Sequence, residues 1–190
     1  MKTSNTKLPK STSAGAIELL MQDHKAVKEI FKQYEKLTQN GDSDDEKSEL
    51  VMRACNELTI HAQVEEEIFY PAVRAGIDDE DVMDEAEVEH AGAKDLIAQL
   101  ESMEPNDALY DARFKVLGEY INHHVQEEEN EMFPQAIKAK LDLVALGESM
   151  LQRKQELRAE MGLDDLEESD DDSEVARAPR SVGRRGASKR

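Results

Sequence analysis

Two segments of the chain pair a histidine with a glutamate four residues later and a proline six residues beyond that glutamate. They read HAQVEEEIFYP, residues 61–71, and HVQEEENEMFP, residues 124–134. Residues four positions apart lie on one face of an α-helix, so each His–Glu pair can bind one cation together. Because the pattern occurs twice in a chain with only five histidines, it indicates a shared function more than chance composition.

The pattern extends to four predicted helices, whose apolar residues recur at steps of three and four. Each apolar face carries one histidine, and two faces add a glutamate one turn later. The predicted metal ligands are His24, His61, Glu65, His90, His124 and Glu128. A single histidine on such a face is more often a packing residue. Two carboxylates buried without partners would, however, be strongly destabilising, and a bound cation removes that cost.

Turn-forming sequences separate these helices, and they predict how the ligands are brought together. They are NGDSDD at 40–45, AGIDDED at 75–81 and MEPND at 103–107. Their serine and acidic residues can cap the helices that follow. Pro71 and Pro134 are expected to end or kink the helices that carry the two repeated motifs. Short connections predict an all-α, antiparallel up-down four-helix bundle, and periodicity predicts an extra C-terminal helix over about 143–161.

The composition divides the chain into three predicted parts. Residues 1–15 are rich in Ser, Thr and Lys and are expected to be disordered, and 16–160 are expected to form the bundle. Residues 161–190 are first acidic and then basic, which is typical of a disordered tail.

Charge and cysteine content narrow the classes of function. The net charge of −19 argues against broad nucleic-acid binding, which needs a basic surface. No apolar run approaches membrane-spanning length, and the N-terminus lacks the apolar segment of a signal peptide. Cys55 is the single cysteine, so no intrachain disulfide can form. We therefore predict a cytoplasmic protein that binds neither nucleic acid nor membranes.

The ligand types indicate which metal the site would hold. Six ligands are too many for one tetrahedral zinc, and calcium or magnesium would not recruit four imidazoles. Mixed imidazole and carboxylate ligation suits iron or manganese. Two metals bridged by Glu65 and Glu128 would use the set economically. The Glu-x-x-His pair of ferritin-like bundles occurs once, at Glu87 and His90.

The order of these motifs resembles the hemerythrin-like proteins of the HHE cation-binding type over about residues 16–140. The resemblance implies a four-helix bundle with two iron ions, oxo- or hydroxo-bridged. Oxygen-carrying hemerythrins have a second histidine one turn from the first on the third helix, where this chain has Ala86 and Lys94. A vacancy at both irons is therefore expected, unless Glu87 fills one.

Four histidines and two glutamates match the ligand set of the bacterial iron-centre repair proteins of this family. Those proteins usually carry an additional N-terminal cysteine-bearing domain, so the resemblance speaks for the fold and the site more than for a repair role. A competing helical register would use His123 and Glu127 instead. The duplicated spacing to proline favours His124, and it makes His123 a flanking residue or a partner of the ligands.

Three functions are compatible with this site. The first is a diiron protein that binds or reacts with O2, NO or peroxide in stress response or iron handling, with a redox or protein partner possible. The second is a weak diiron oxidase or catalase-like enzyme. The third is a metal-stabilised protein-interaction module. Tyr34, Phe31, Phe69 and Phe133 are expected to pack in the core, although a tyrosine near the metals could donate to a bound oxygen species.

Overall fold

A computed structural model describes residues 15–40 and 43–163, and this part of the chain is a helical bundle. In chain order the elements are α1 (Ala16–Asn40), α2 (Asp44–Val64), the π-helical turn π1 (Glu65–Phe69), α3 (Tyr70–Gly76), α4 (Glu80–Glu101), α5 (Tyr110–Glu127), the π-helical turn π2 (Glu128–Met132), α6 (Phe133–Lys138) and α7 (Leu143–Glu160).

The packing of the long helices confirms the predicted all-α bundle with an extra C-terminal helix. Helices α1, α2, α4 and α5 form a closed ring in which each one packs against two others. Helix α7 lies outside the ring against α1, α2 and π1. The tails predicted to be disordered fall almost entirely outside the described residues. None of the described helices has the length and apolarity that crossing a membrane requires.

The first predicted turn caps α2 as its sequence suggests. The hydroxyl of Ser43 accepts a hydrogen bond from the backbone N–H of Glu46, and the Glu46 carboxylate accepts one from the Ser43 backbone. This reciprocal arrangement satisfies two donors that a helix start otherwise leaves unpaired. The turn at 40–45 therefore fixes where the helix carrying His61 begins.

Each repeated motif changes from α-helix to a π-helical turn at its glutamate, and this was not expected from the periodicity. The N–H of Tyr70 donates to the carbonyl of Glu65, and the N–H of Phe133 donates to that of Glu128. These bonds span five residues instead of four. A proline follows directly, at 71 and 134, and its ring would clash with the carbonyl four residues earlier in a regular α-helix. The wider turn lets the helix continue past the proline instead of ending.

The bundle interior holds two apolar clusters, and the histidines lie at the border between them. His24 follows Leu20 of one cluster and precedes Val27 of the other. The other three histidines stand at the same kind of border on their own helices. A polar layer therefore crosses the middle of an otherwise apolar interior, contributed by all four helices of the ring.

Candidate metal centre

The structure brings the six predicted ligand residues into one buried layer. They are His24 of α1, His61 of α2, Glu65 of π1, His90 of α4, His124 of α5 and Glu128 of π2. Each is at most 6% exposed. Residues distant in sequence meet here because the four apolar faces meet along one axis.

The Nε2 atoms of the histidines point at the two carboxylates. The Nε2–Oε2 distances are 3.2 Å for His61 and Glu65, 3.4 Å for His90 and Glu65, 3.2 Å for His24 and Glu128, and 3.6 Å for His124 and Glu128. The donor atoms form two groups, each with its members within 4.8 Å of one another. One group contains the α1 and α2 histidines with both glutamates, and the other contains the α4 and α5 histidines with Glu65. Glu65 therefore belongs to both.

The opposite ring nitrogens, Nδ1, face further carboxylates. The Nδ1 atoms lie 2.9 Å from Glu129 for His24, 2.8 Å from Glu66 for His90, 2.7 Å from Glu89 for His124 and, more loosely, 3.5 Å from Asp23 for His61. An ionised carboxylate only accepts hydrogen bonds, so Nδ1 of His24, His90 and His124 carries the proton and their Nε2 atoms keep a free lone pair. Nδ1 of His61 has no hydrogen-bond partner among the described residues. Carboxylates in this position orient metal-binding imidazoles in many proteins.

The buried acceptor atoms of this layer show whether it is suited to a cation. His24 Nε2, both oxygens of Glu65 and Glu128 Oε2 have no hydrogen-bond partner among the described residues. His90 Nε2 and His124 Nε2 face each other at 3.1 Å, although both rings use their protons on the other side. Acceptor atoms directed at one another in a low-dielectric interior repel. A positive charge among them removes the repulsion, so the donor set fits metal ions.

The protonation equilibria reflect the same crowding. Burial and the adjacent Glu128 carboxylate raise the pKa of Glu65 well above its ordinary value. Burial, with the neighbouring His124, lowers the pKa of His90 to about 4. Both shifts have the direction expected for desolvated groups, which avoid the charged form. A neutral imidazole is the form that binds a metal.

Tyr70 is a residue of this layer that the sequence analysis missed. Its hydroxyl donates to Glu128 Oε1 at 2.8 Å and lies 3.1 Å from His90 Nε2 and 3.4 Å from His124 Nε2. Tyr70 comes five residues after Glu65, which is off the helical face in an α-helix but on it after a π-turn. The sequence feature that could have identified Tyr70 is its position directly before Pro71.

Other residues considered from the sequence lie away from the layer. Glu87 is exposed and pairs with Arg74, so it is not close to the histidines. The hydroxyl of Tyr34 donates to Asp111 at 2.6 Å, within the apolar cluster farther along the bundle. Cys55 is buried, and burial raises the pKa of its thiol to about 12, which makes it unreactive.

His123 lies on the protein surface beside the layer. Its side chain is 65% exposed, and its Nε2 is 3.4 Å from Glu127 and 3.7 Å from Glu89. The same Glu89 carboxylate accepts from Nδ1 of His124. His123 is therefore a flanking residue that shares a neighbour with the buried layer.

The fold and this buried set of imidazoles and carboxylates define a helical-bundle metal-binding protein. The family model of the hemerythrin HHE cation-binding domain matches residues 15–136, and the chain belongs to that family. Domains of this family bind metal ions, typically iron.

The chain is also similar to two known proteins. A solved structure, a hemerythrin HHE cation-binding domain-containing protein from Mycobacterium kansasii, is 25% identical, with a TM-score of 0.66. The match covers 77% of this chain and 89% of that one. A protein of Nostoc sp. named DNA nickase is 28% identical over 116 residues, which is 61% of this chain. The chain spans only 32% of the length of that relative.

Proposed function

We propose that the protein holds two iron ions and that this centre binds and reacts with O2, NO or peroxide, in stress response or iron handling. His24 and His61 would bind one iron, and His90 and His124 the other. Glu65 and Glu128 would be shared between them. The observation that carries the proposal is the convergence of unprotonated Nε2 atoms and unpaired carboxylate oxygens in a buried layer.

Two neighbouring iron ions, when bound, supply electrons for the reduction of small oxygen- or nitrogen-containing molecules. The chain positions and protects them. Each carboxylate behind an Nδ1 atom fixes the ring orientation and leaves Nε2 free. The apolar clusters on both sides exclude water, so the carboxylates interact strongly with the cations.

A small cavity beside the four imidazoles supports a small ligand. Its volume is about 30 Å³, which is room for one or two water-sized molecules. The surface of the cavity is almost entirely apolar, with contributions from Val27, Leu58, Ala93, Ile97, Ile121 and Val125. Asp23, Glu89 and Lys94 are also among its lining residues. An uncharged diatomic molecule enters such a space at low cost, whereas an anion would have to shed its hydration shell. O2 and NO are therefore better candidates than larger or charged ligands.

The residues on either side of His90 favour reaction over reversible oxygen carriage. Ala86 is buried in an apolar cluster, and Lys94 pairs with Glu66 at 2.7 Å. Neither supplies the additional histidine that oxygen carriers have on this helix. Without that histidine the ligand set differs from that of the oxygen carriers, so we expect O2 to oxidise a bound diiron centre and not to bind it reversibly. A weak oxidase or catalase-like activity would result if this reaction of the centre with O2 or peroxide were repeated catalytically.

The test combines metal analysis with rapid mixing. Protein loaded with iron(II) under anaerobic conditions is expected to hold close to two iron atoms per chain. On mixing with O2 in a stopped-flow instrument, its absorbance should change rapidly to that of the diferric form. Flushing with argon should not restore the initial spectrum. NO should bind the diferrous form and give an iron–nitrosyl spectrum.

Two outcomes would contradict the proposal in different ways. One metal per chain, or a preference for zinc with no visible absorbance, would rule out the diiron centre. It would also favour the metal-stabilised interaction module. Two irons whose spectrum reverts on removal of O2 would show an oxygen carrier, and the inference from Ala86 and Lys94 would be wrong.

A further inference from the structure

The two π-turns place an aromatic ring at equivalent positions on the two sides of the metal layer. Tyr70 comes five residues after Glu65, and Phe133 comes five residues after Glu128. The ring of Tyr70 packs against His90 with centroids 5.2 Å apart. The ring of Phe133 stacks on His24 with centroids 5.9 Å apart. The two sides therefore differ by one hydroxyl group.

That hydroxyl has the spacing of a metal ligand, not only that of a hydrogen-bond donor. Metal bonds to nitrogen and oxygen of about 2.0–2.2 Å place neighbouring ligand atoms roughly 3 Å apart. The Tyr70 oxygen is 2.8 Å from Glu128 Oε1 and 3.1 Å from His90 Nε2. Each distance alone would suit a hydrogen bond, but the hydroxyl has one proton and cannot fully satisfy Glu128 Oε1 and His90 Nε2 at the same time.

We propose that Tyr70 is a ligand of the metal held by His90 and His124, through its phenolic oxygen. The inference rests on the proposed diiron centre and deepens it. The phenol proton leaves for solvent when the metal binds, as it does for other protonated ligands. The oxygen lone pair forms the new bond, and neither group is oxidised or reduced.

Ligation by Tyr70 makes the two metals inequivalent. Phe133 has no atom that can bind a metal, so the metal of His24 and His61 keeps its open position. The expectation of a vacancy at both irons then becomes one vacancy, on the side of α1 and α2. The small molecule is expected to bind there first, because the other metal is already more fully ligated.

The experiment uses the full chain loaded with iron and then oxidised by air. An iron(III)–phenolate bond absorbs visible light strongly, and excitation in that band enhances the ring vibrations of the phenolate in the Raman spectrum. We expect both signals in the wild type and their loss in Tyr70→Phe. Tyr34→Phe is the matched control, because it removes a buried tyrosine hydroxyl that bonds Asp111. It should keep both signals.

The outcomes separate this inference from the diiron proposal. If the wild type binds two irons but shows no phenolate vibrations, or if iron-loaded Tyr70→Phe keeps the wild-type spectrum, Tyr70 is only a hydrogen-bond donor. The inference then fails while the diiron centre stands. If the wild type binds no iron, both fail. Should Tyr70→Phe not fold, as judged by circular dichroism, the Raman spectrum of the wild type decides alone.

Discussion

His123 and His124 show how strongly the site depends on helical register. Adjacent helical residues point about 100° apart. His124 is therefore buried at the layer, while His123 is exposed beside Glu127. We predict that His124→Ala binds fewer than two irons and loses most of its visible absorbance, and that His123→Ala keeps both. Iron per chain and the absorbance spectrum are measured after identical loading. If His123→Ala alone loses iron, His123 and not His124 is the ligand.

The six residues of the layer could be predicted because the four histidines lie on regular α-helical faces and each glutamate follows its histidine by four residues, where the π-turn only begins. Spacing of three and four residues places His90 on the face of Ala86 and Ala93, and the duplicated motif resolves the choice at His124. Tyr70 could not be found in this way. It is five residues after Glu65, and only a π-turn brings such a residue to the same side of the helix. A local departure from α-geometry thus hides the residue that makes the two sides of the layer different.

At the level of elements, the ring of four helices could be predicted from apolar periodicity and from turn residues such as Ser43. The two π-turns could not be predicted, because five residues are too few to reveal a change of period. Pro71 and Pro134 were expected to end or kink their helices. In the structure a π-turn precedes each proline, and the helix continues past it. Each helix absorbs the proline in a wider turn that begins at a glutamate of the layer.

Helix α7 reaches the layer although it lies beyond the part of the chain that the family model matches. Lys154 of α7 forms an ion pair with Asp23, which faces Nδ1 of His61. Burial raises the pKa of Asp23, but the interactions with His61 and with the Lys154 ammonium outweigh it, and the net shift is downward. Arg153 of the same helix binds Glu67, two residues after Glu65. Helix α7 thus supports the carboxylate that orients one of the imidazoles.

We predict that Lys154→Ala weakens iron retention without unfolding the bundle. Loss of a direct partner of a ligand costs 10–100-fold in metal affinity. Lys154 acts one step farther out, so we expect a loss of roughly three- to tenfold. The rate of iron removal by a chelator is the measurement. Lys32→Ala is the control, because Lys32 is exposed and forms a local ion pair with Glu29 of the same helix. Equal rates for Lys154→Ala and the wild type would show that α7 does not support the site.

For the molecule as a whole, the metal layer connects four helices that otherwise meet through two separate apolar clusters. In the metal-free protein this layer opposes folding, because it buries groups that prefer to be hydrated and charged. Metal that binds only the folded state adds RT ln(1 + [L]/Kd), or about 4 kcal/mol at a thousandfold excess over Kd. Stability should therefore depend on both metal and pH.

The direction of the pH effect near neutral pH follows from buried groups of the layer whose pKa values are shifted. The folded state raises the pKa of Glu65. Burial lowers the pKa of His124, but the hydrogen bond to Glu89 and the Glu128 charge outweigh it, so the net shift is upward. Both groups give the folded state extra protons, so their stabilising contribution is lost as pH rises through their folded pKa values. His90, with its pKa lowered to about 4, and His61, whose pKa is lowered by burial, act oppositely, and their effect is complete above about pH 6.5.

Above about pH 6.5, then, the metal-free protein should become less stable as pH rises, by at most about 1.4 kcal/mol per pH unit for each group that titrates. The iron-loaded protein should not show this decline, because Glu65 is already ionised as a ligand. The gain in Tm on adding iron should accordingly grow from about pH 6.5 to about pH 8. In metal-free Glu65→Gln the decline should be smaller, and its stability at neutral pH should exceed that of the wild type by about 1–2 kcal/mol. Calorimetry across this pH range, with and without iron, measures each effect. A metal-free wild type whose stability stays level or rises would show that Glu65 is not held in an unfavourable state, and that the layer does not depend on a cation for its charge balance.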